Sequence, residues 1–333
     1  MANIAVVVIL LSAIEGFFRV STAEDFFFLF SEPRMRLDGR SFVTAHPSRG
    51  FVLRSGYADD QIQIDDRGFR AGTSKGWTGS GFTILALGES TTFGWDVPQG
   101  SDYPAQLAAD LDDGTGGLVR VLNGGVPSYS TTQVAITLEE MAEEGLHADL
   151  VLISIMWNDI YYSATPNWYP DLLVFQQPPA WRRLLFRHSA TFRHFSRLRL
   201  DRLGKIDRPN PEALEHFSRT IERMLATPNG AANRAVFVEP PFCRARVDAA
   251  GMRGLGVLYS PRFLTARVEE YSERVRLIAR RSGSLVIDHG LSGLHDAPVA
   301  LFLDMAHPTA EGYGIMARDI ADGLVAAGFV SAP

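Results

Sequence analysis

From Phe82 onward, short apolar runs alternate with longer amphipathic segments. This alternation is typical of strands and crossover helices in a parallel sheet that is covered on both faces. The predicted strands are Thr83–Leu87, Val119–Leu122, Leu150–Ile155, Ala235–Glu239 and Leu285–Ile287. The predicted helices are Tyr103–Leu111, Thr131–Glu144, Pro211–Leu225, Pro261–Arg281 and Pro308–Ala327, several with a proline in the first turn. The chain is therefore predicted to form an open α/β sandwich.

Composition divides the chain into three parts. Residues 1–30 are an apolar segment, residues 31–80 a mixed extension that ends in a Gly/Ser-rich linker, and residues 81–333 the main domain. Within the extension, Gln61–Ile64 alternates like a half-exposed strand. An insertion at 160–205, first aromatic and then Arg-rich, interrupts the main domain. It is predicted to pack on the sheet, to form a lid, or to rest on anionic lipid.

The N-terminal segment contains an unbroken run of small and apolar residues from Ile4 to Ile14. Such a run is short for a membrane span, but further apolar residues extend it beyond Glu15. Ser21-Thr22-Ala23 resembles a signal-peptidase site, although no Lys or Arg precedes the run. We expect a membrane anchor or a signal rather than a helix docked on the protein. A membrane-anchored or exported location in a bacterial cell envelope is favoured over the cytoplasm.

Charge and motifs exclude several classes of function. A formal net charge of −6 gives no overall attraction to nucleic acid. The single cysteine, Cys243, cannot form an intramolecular disulfide. The sequence contains no H-E-x-x-H motif, no P-loop and no dinucleotide fingerprint, so we predict neither a metal nor a cofactor.

The segment Gly88–Gly94 follows the first predicted strand and contains Ser90. Ligands bind at the carboxyl edge of open α/β sheets, so a hydroxyl here can meet a substrate. The alternative is that Ser90 caps a helix. The G-x-S-x-G motif is not met, because Thr92 stands where its second glycine belongs.

A base for this serine is predicted at His307, which lies on a loop because Pro308 disfavours helical geometry before it. Asp304 can accept from one ring nitrogen and fix the tautomer. The alternative is a surface Asp/His pair near a helix cap. His289 and His295 are rival bases, ranked lower because each adjoins an Asp whose side chain points away from it.

Two strand ends offer donors for an oxyanion. Asn123-Gly124-Gly125-Val126 follows the second strand, and Met156-Trp157-Asn158-Asp159 follows the third. Taken singly, the first is also typical of a turn and the second of a helix cap. Their order, together with Ser90 and the Asp/His pair, argues for one shared site.

This ordered set resembles the SGNH/GDSL hydrolase family, whose four blocks contribute Ser, Gly, Asn and His in this order. The resemblance implies a flavodoxin-like, three-layer α/β/α sandwich with a parallel sheet. It implies the catalytic residues Ser90, Asp304 and His307, with an oxyanion hole formed by Ser90, Gly125 and Asn158.

Two positions depart from the family pattern. Glu89 stands for the usual Asp, and Met156 stands for the usual Gly. The second departure predicts an altered backbone near Asn158. The apolar N-terminus, Gly68-Phe69-Arg70 and the Arg-rich insertion also resemble membrane-associated bacterial members.

The sequence therefore predicts a serine hydrolase that cleaves a small-molecule or glycan ester through an acyl-serine intermediate. One alternative is an O-acyltransferase that acts on a carbohydrate hydroxyl. Another is a non-catalytic carbohydrate-binding protein on the same fold.

Overall fold

The computed structural model describes residues 2–21, 41–72, 81–115, 119–164, 207–227, 234–247, 259–292 and 297–330, together with 168, 181, 185, 189–192, 194 and 195. The strands are β1 (Val43–His46), β2 (Gly50–Leu53), β3 (Phe82–Gly88), β4 (Val119–Gly125), β5 (Leu150–Ser154), β6 (Ala235–Val238) and β7 (Leu285–Ile287). The α-helices are α1 (Ala2–Ser21), α2 (Ser90–Phe93), α3 (Tyr103–Thr115), α4 (Thr131–Glu143), α5 (Trp157–Ser163), α6 (Pro211–Leu225), α7 (Pro261–Ser282) and α8 (Ala310–Ala326).

Strands β3 to β7 form one parallel sheet in the order β4-β3-β5-β6-β7. The chain winds outward from β3 to β4 and then crosses back to β5, so β3 and β5 flank the point where the winding direction changes. Crevices at this point bind ligands in open α/β sheets. Gly88, at the end of β3, lies beside Gly125 on one side and Ser154 on the other. The predicted parallel α/β fold is confirmed.

The strands are apolar throughout because both faces of the sheet are covered. Along β3, Leu85 and Leu87 face one hydrophobic cluster, which includes residues of α4, α6 and α7. Ile84 and Ala86 face the opposite cluster, which includes residues of α3 and α8. The alternation of side chains along one strand thus separates the two outer layers of helices.

The last helix begins later than predicted. Thr309 is its N-cap and accepts the Gly312 N–H, so α8 starts at Ala310 and not at Pro308. The capping hydroxyl satisfies an amide that has no partner within the helix. Pro308 belongs instead to a short bridge with Phe302, which closes the preceding loop.

Residues 41–72 pack on the main domain. They contain the antiparallel hairpin of β1 and β2, which the sequence prediction missed. The alternating exposure predicted at Gln61–Ile64 is confirmed, since only the two isoleucines are buried, but the segment forms isolated bridges and not a strand. Phe42 stacks on Phe93 with ring centroids 5.4 Å apart, so the extension shares a hydrophobic core with the residues that follow Ser90.

Helix α1 exposes apolar side chains along most of its length, including Val6, Leu10 and Phe17. Near its C-terminal end, Glu15 accepts hydrogen bonds from the N–H groups of Ala190 and Thr191. In the part of the chain that the structure describes, no helix has both the length and the hydropathy needed to cross a membrane. Most of the predicted insertion at 160–205 lies outside the described residues.

Candidate active site

Ser90 is the first residue of α2, the one-turn helix that directly follows β3. Gly88 allows the chain to pass closely between β5 and α2, since a Cβ there would clash with the Ser154 carbonyl oxygen and with Thr92 Oγ1. Gly94 ends the helix with a φ of 84°, a left-handed conformation that glycine adopts without strain. The Ser90 side chain is partly exposed at the carboxyl edge of the sheet.

Ser90, His307 and Asp304 form a hydrogen-bonded chain. Ser90 Oγ lies 2.8 Å from His307 Nε2, and His307 Nδ1 lies 2.7 Å from Asp304 Oδ2. A carboxylate beside Nδ1 favours a proton on that nitrogen, which leaves Nε2 as the acceptor for the serine hydroxyl. The Ser90 hydroxyl therefore bonds to the histidine, and the α2 N-cap is Glu89.

A closed loop holds His307 in this position. Asp304 Oδ1 accepts the N–H groups of Ala306 and His307 at 2.8 and 2.9 Å. The Leu303 N–H donates to the His307 carbonyl, which closes the turn from the other side. Asp304 thus fixes both the backbone and the ring of the histidine.

The charges of this pair are strongly coupled. Burial lowers the pKa of His307, but the Asp304 carboxylate and then Asp96 raise it, and the net pKa lies above 6.5. Burial raises the pKa of Asp304, but His307 and the two N–H donors outweigh it and bring the pKa to about 2. Asp304 is therefore ionised at neutral pH and stabilises a protonated imidazole.

The structure separates the rival base His289 from Ser90. His289 is buried, its Nε2 lies 2.6 Å from the Glu239 carbonyl, and its Nδ1 accepts the Leu291 N–H. Both of its ring nitrogens are thus engaged away from Ser90. His295 lies outside the described residues.

Glu89 contacts the segment that follows β5. Its carboxylate accepts the N–H groups of Met156, Trp157 and Asn158 at 2.7, 2.7 and 2.8 Å. Met156 has a φ of 152° and a ψ of −43°, which is unusual for a residue with a long side chain. Burial raises the pKa of Glu89 to about 8, Asp159 adds to the rise, and the three N–H donors oppose it. The altered backbone predicted near Asn158 is thus held by the residue before the serine.

Asn158 reaches toward the loop after β4. Its Nδ2 donates to the Tyr129 carbonyl at 3.0 Å, which leaves the second amide hydrogen for another acceptor. The neighbouring Asp159 accepts both the N–H and the hydroxyl of Thr131, at the start of α4. Burial raises the pKa of Asp159 to about 6, although the bonds from Thr131 oppose the shift.

Gly125 lies directly beneath α2. A Cβ at this position would be 2.3 Å from the Phe93 nitrogen, so only glycine allows this approach. The Gly125 N–H donates to Asn123 Oδ1 at 3.0 Å. This amide thus has a partner within the protein, and the close approach gives Gly125 a packing role; its role as an oxyanion donor stays a prediction.

Ser128, which sequence reasoning missed, lies three residues further along. Its φ is 67°, and the Tyr129 N–H donates to the Val126 carbonyl. Pro127 thus occupies the second position of a β-turn whose third position is left-handed, as in type II turns. Within the described residues, the Ser128 N–H makes no hydrogen bond to the protein. The signal for this turn is Pro127, which favours the second position.

Among the described residues, no group of three or more His, Cys, Asp or Glu side chains could hold a metal ion. The described residues bring together the serine, the histidine, the carboxyl groups of Glu89 and Asp304, and the amide donors. This set is suited to attack on a carbonyl carbon.

Comparison with known proteins gives a family match. Residues 86–315 match the model of the GDSL-like Lipase/Acylhydrolase family. No curated protein matches the sequence.

Several solved structures show partial similarity. A lipase/acylhydrolase from Enterococcus faecalis has 16% identity and a TM-score of 0.47, covering 76% of this chain and 98% of that chain. An α/β hydrolase enzyme from the metagenome of Lake Arreo, Spain, has 20% identity and a TM-score of 0.46, covering 74% and 95%. An acetylxylan esterase from Geobacillus stearothermophilus has 18% identity and a TM-score of 0.43, covering 74% and 95%.

Proposed function

The chain belongs to the GDSL-like lipase/acylhydrolase family, and from this premise we propose that it hydrolyses a carboxylic ester with Ser90 as the nucleophile. The observation that carries the proposal is the hydrogen-bonded chain from Ser90 Oγ through His307 to Asp304, with contacts of 2.8 and 2.7 Å. The nucleophile thus lies beside a general base, and the base lies beside a carboxylate that orients it.

The reaction has two steps. Ser90 Oγ attacks the ester carbonyl while His307 Nε2 takes its proton, and the alcohol leaves with that proton. Water then attacks the acyl-serine, with His307 acting again first as base and then as acid. Asp304 stabilises the imidazolium ion in both steps.

Three donors are proposed for the oxyanion: the Ser90 N–H, the Ser128 N–H and Asn158 Nδ2. The bond from Asn158 Nδ2 to the Tyr129 carbonyl brings the carboxamide next to the turn that presents Ser128. One such donor contributes about 2.7–4 kcal/mol to stabilising a transition state. Gly125 supports the site from below, since it permits α2 to lie against β4.

The test is hydrolysis of a chain-length series of nitrophenyl esters by the full chain and by Ser90→Ala. We expect kcat to fall by about 10⁴–10⁶-fold in the variant. Ser55→Ala, which alters an exposed serine of the extension, is the matched control. Mass spectrometry after reaction with an alkyl fluorophosphonate should find the adduct on Ser90. A folded Ser90→Ala protein that keeps its activity would refute the proposal.

Product analysis separates hydrolysis from acyl transfer. The same esters are supplied with and without an oligosaccharide acceptor, and free acid and acylated sugar are quantified. A hydrolase releases the acid at the same rate in both cases. Acylated sugar as the main product would favour an O-acyltransferase with the same nucleophile.

We also propose that α1, together with the Arg-rich insertion, attaches the protein to an anionic membrane surface. The exposed apolar side chains of α1 support this, as does the excess of arginine in the insertion. Burial raises the pKa of Glu15, but hydrogen bonds from residues 189–191 outweigh it and bring the pKa to about 2. The one acidic side chain of α1 is thus bonded to the insertion and not directed away from it.

Vesicle co-sedimentation tests this attachment. The full chain should bind phosphatidylglycerol-containing vesicles and bind pure phosphatidylcholine vesicles more weakly. Leu10→Asp should abolish binding without changing hydrolysis of a soluble ester. Equal recovery of the variant and the wild-type protein with the vesicles would contradict the proposal.

A further inference from the structure

We propose that Arg70, which precedes the residues matched by the family model, is a positioning residue for the Ser90 nucleophile. The inference rests on the proposed function, since it assigns Arg70 a task only if Ser90 reacts. It gives a role to Gly68-Phe69-Arg70, a motif that the hydrolytic site itself does not use.

The Arg70 guanidinium binds the backbone that leaves α2. Nη1 donates to the carbonyls of Phe93 and Gly94 at 2.7 and 2.6 Å, and Nη2 donates to the Val97 carbonyl at 2.8 Å. The carbonyls at the end of a helix have no partners within it, so an external donor must satisfy them when they are buried. The Arg70 side chain is fully buried and stacks over the Phe93 ring at 4.9 Å.

A polar network extends this contact to the sheet. Arg70 Nε lies 3.4 Å from Asp102 Oδ2, and Asp102 Oδ1 accepts Asn123 Nδ2 at 2.9 Å. Asn123 Oδ1 in turn accepts the Gly125 N–H, directly beneath α2. The short helix is therefore held by Arg70 at its end and by β4 along its underside.

The loop bound by Arg70 also approaches the base. It contains Asp96, whose φ is 57° and whose charge helps to raise the pKa of His307. The carbonyls of Gly94 and Val97, the residues on either side of Trp95 and Asp96, each accept a hydrogen bond from the same guanidinium. Arg70 thus holds residues 94–97, which follow the helix that carries Ser90 and whose Asp96 acts on the charge of His307.

The ion pair with Asp102 does not by itself account for a buried arginine here. Burial lowers the pKa of Arg70, and Asp102 only partly offsets this effect. Replacing a buried ion pair by apolar side chains is often neutral or stabilising, whereas a planar fork of five donors can orient several carbonyls at once. The geometry fits orientation of the nucleophile turn better than a simple gain in stability.

The experiment compares Arg70→Met and Arg70→Lys with Arg54→Met in the full chain. Arg54 is a matched control, because it also donates to two carbonyls of the extension, those of Ser41 and Val43. The rate of Ser90 modification by an alkyl fluorophosphonate and the kcat and KM for a nitrophenyl ester are measured per folded molecule. Urea unfolding gives the stability of each protein.

We expect Arg70→Met to lower the rate of phosphonylation and kcat about 100-fold, with little change in KM. Displacement of a reacting group by about 1 Å is enough to lower a rate by this factor. Arg70→Lys should recover part of the rate. Arg54→Met should lose stability but keep the wild-type rate.

A folded Arg70→Met protein that reacts at the wild-type rate would overturn the inference. If Arg70→Met does not fold, Arg70→Lys decides, and a wild-type rate in that variant counts against the inference in the same way. Failure of the wild-type protein to react at Ser90 is a separate result, which overturns the proposed function and the inference with it.

Discussion

The Glu89 carboxylate accepts the Met156 N–H at 2.7 Å, so two residues separated by 67 positions in the chain are direct partners. These are the two positions at which the sequence departs from the family pattern. A left-handed φ is strained for a methionine, and conformations of this kind persist only where the surroundings hold them. The three hydrogen bonds from residues 156–158 to Glu89 provide such support.

Above its pKa of about 8, Glu89 is ionised and accepts all three N–H groups, so at such pH Glu89→Gln should impair both stability and catalysis. The carboxamide places a donor where one of three N–H groups now finds an acceptor, which costs about 1–3 kcal/mol in the free energy of unfolding. The released backbone would shift Asn158 and lower kcat by about 10-fold or more. Urea unfolding and ester hydrolysis measure the two effects. Glu140→Gln, in α4, is the control, and equal effects in both variants would contradict this account.

Gly125→Ala should separate α2 from β4. The added Cβ would meet the backbone at Phe93 and Thr92, where no flexible side chain can yield. We expect a loss of about 1–3 kcal/mol in stability and a fall in kcat, because Ser90 moves with its helix. Gly290→Ala is the control, since its Cβ would come no closer than 3.7 Å to Asp319. A Gly125→Ala protein with normal kcat would show that the close approach is not needed.

Ser128→Gly should stabilise the protein and leave it active. A left-handed φ costs a non-glycine residue about 1–2 kcal/mol, and the greater freedom of glycine in the unfolded chain offsets part of that gain. The N–H remains in place, so kcat/KM should change by less than about 2-fold. Ser55→Gly, at a residue without a positive φ, should give no gain. A large loss of activity in Ser128→Gly would indicate that the hydroxyl takes part.

The acid limb of the kcat/KM profile should report His307. The base acts in its neutral form, so activity rises as pH increases through its pKa, which lies above 6.5 in the folded protein. Asp304→Asn removes the main group that raises this pKa, so the limb should move to lower pH. Activity at its maximum should fall by about 10⁴-fold, because the tautomer is no longer fixed. An unchanged midpoint in Asp304→Asn would exclude this coupling.

Local patterns predicted the sheet well because its strands are buried on both faces and read as unbroken apolar runs. The bounds of β7 agree with the prediction, and those of β3 extend it by one residue at each end. The hairpin of β1 and β2 was missed because its strands are short and mix buried with half-exposed residues.

Within the site, Ser90, Asp304 and His307 could be found from their neighbours in sequence, and the structure places them in contact. The tasks of Glu89 and Arg70 could not be found this way. Each depends on a backbone segment that only the folded sheet brings near. Gly125 illustrates the same limit, since the hydrogen bond from its N–H to Asn123 could not be predicted from the sequence pattern.

Phe42 and Arg70, both in the extension, contact the Phe93 ring and the Phe93 carbonyl, so the main domain depends on the extension. A fragment that began at residue 81 would contain every reacting group, yet it would present an open apolar hollow and three bare carbonyls beside its nucleophile. A segment that is transferred to another protein, by natural recombination or by engineering, should therefore start before Phe42. A chimera joined at residue 86, where the match to the family model begins, would contain Ser90, Asp304 and His307 but lack the residues that support the turn after Ser90.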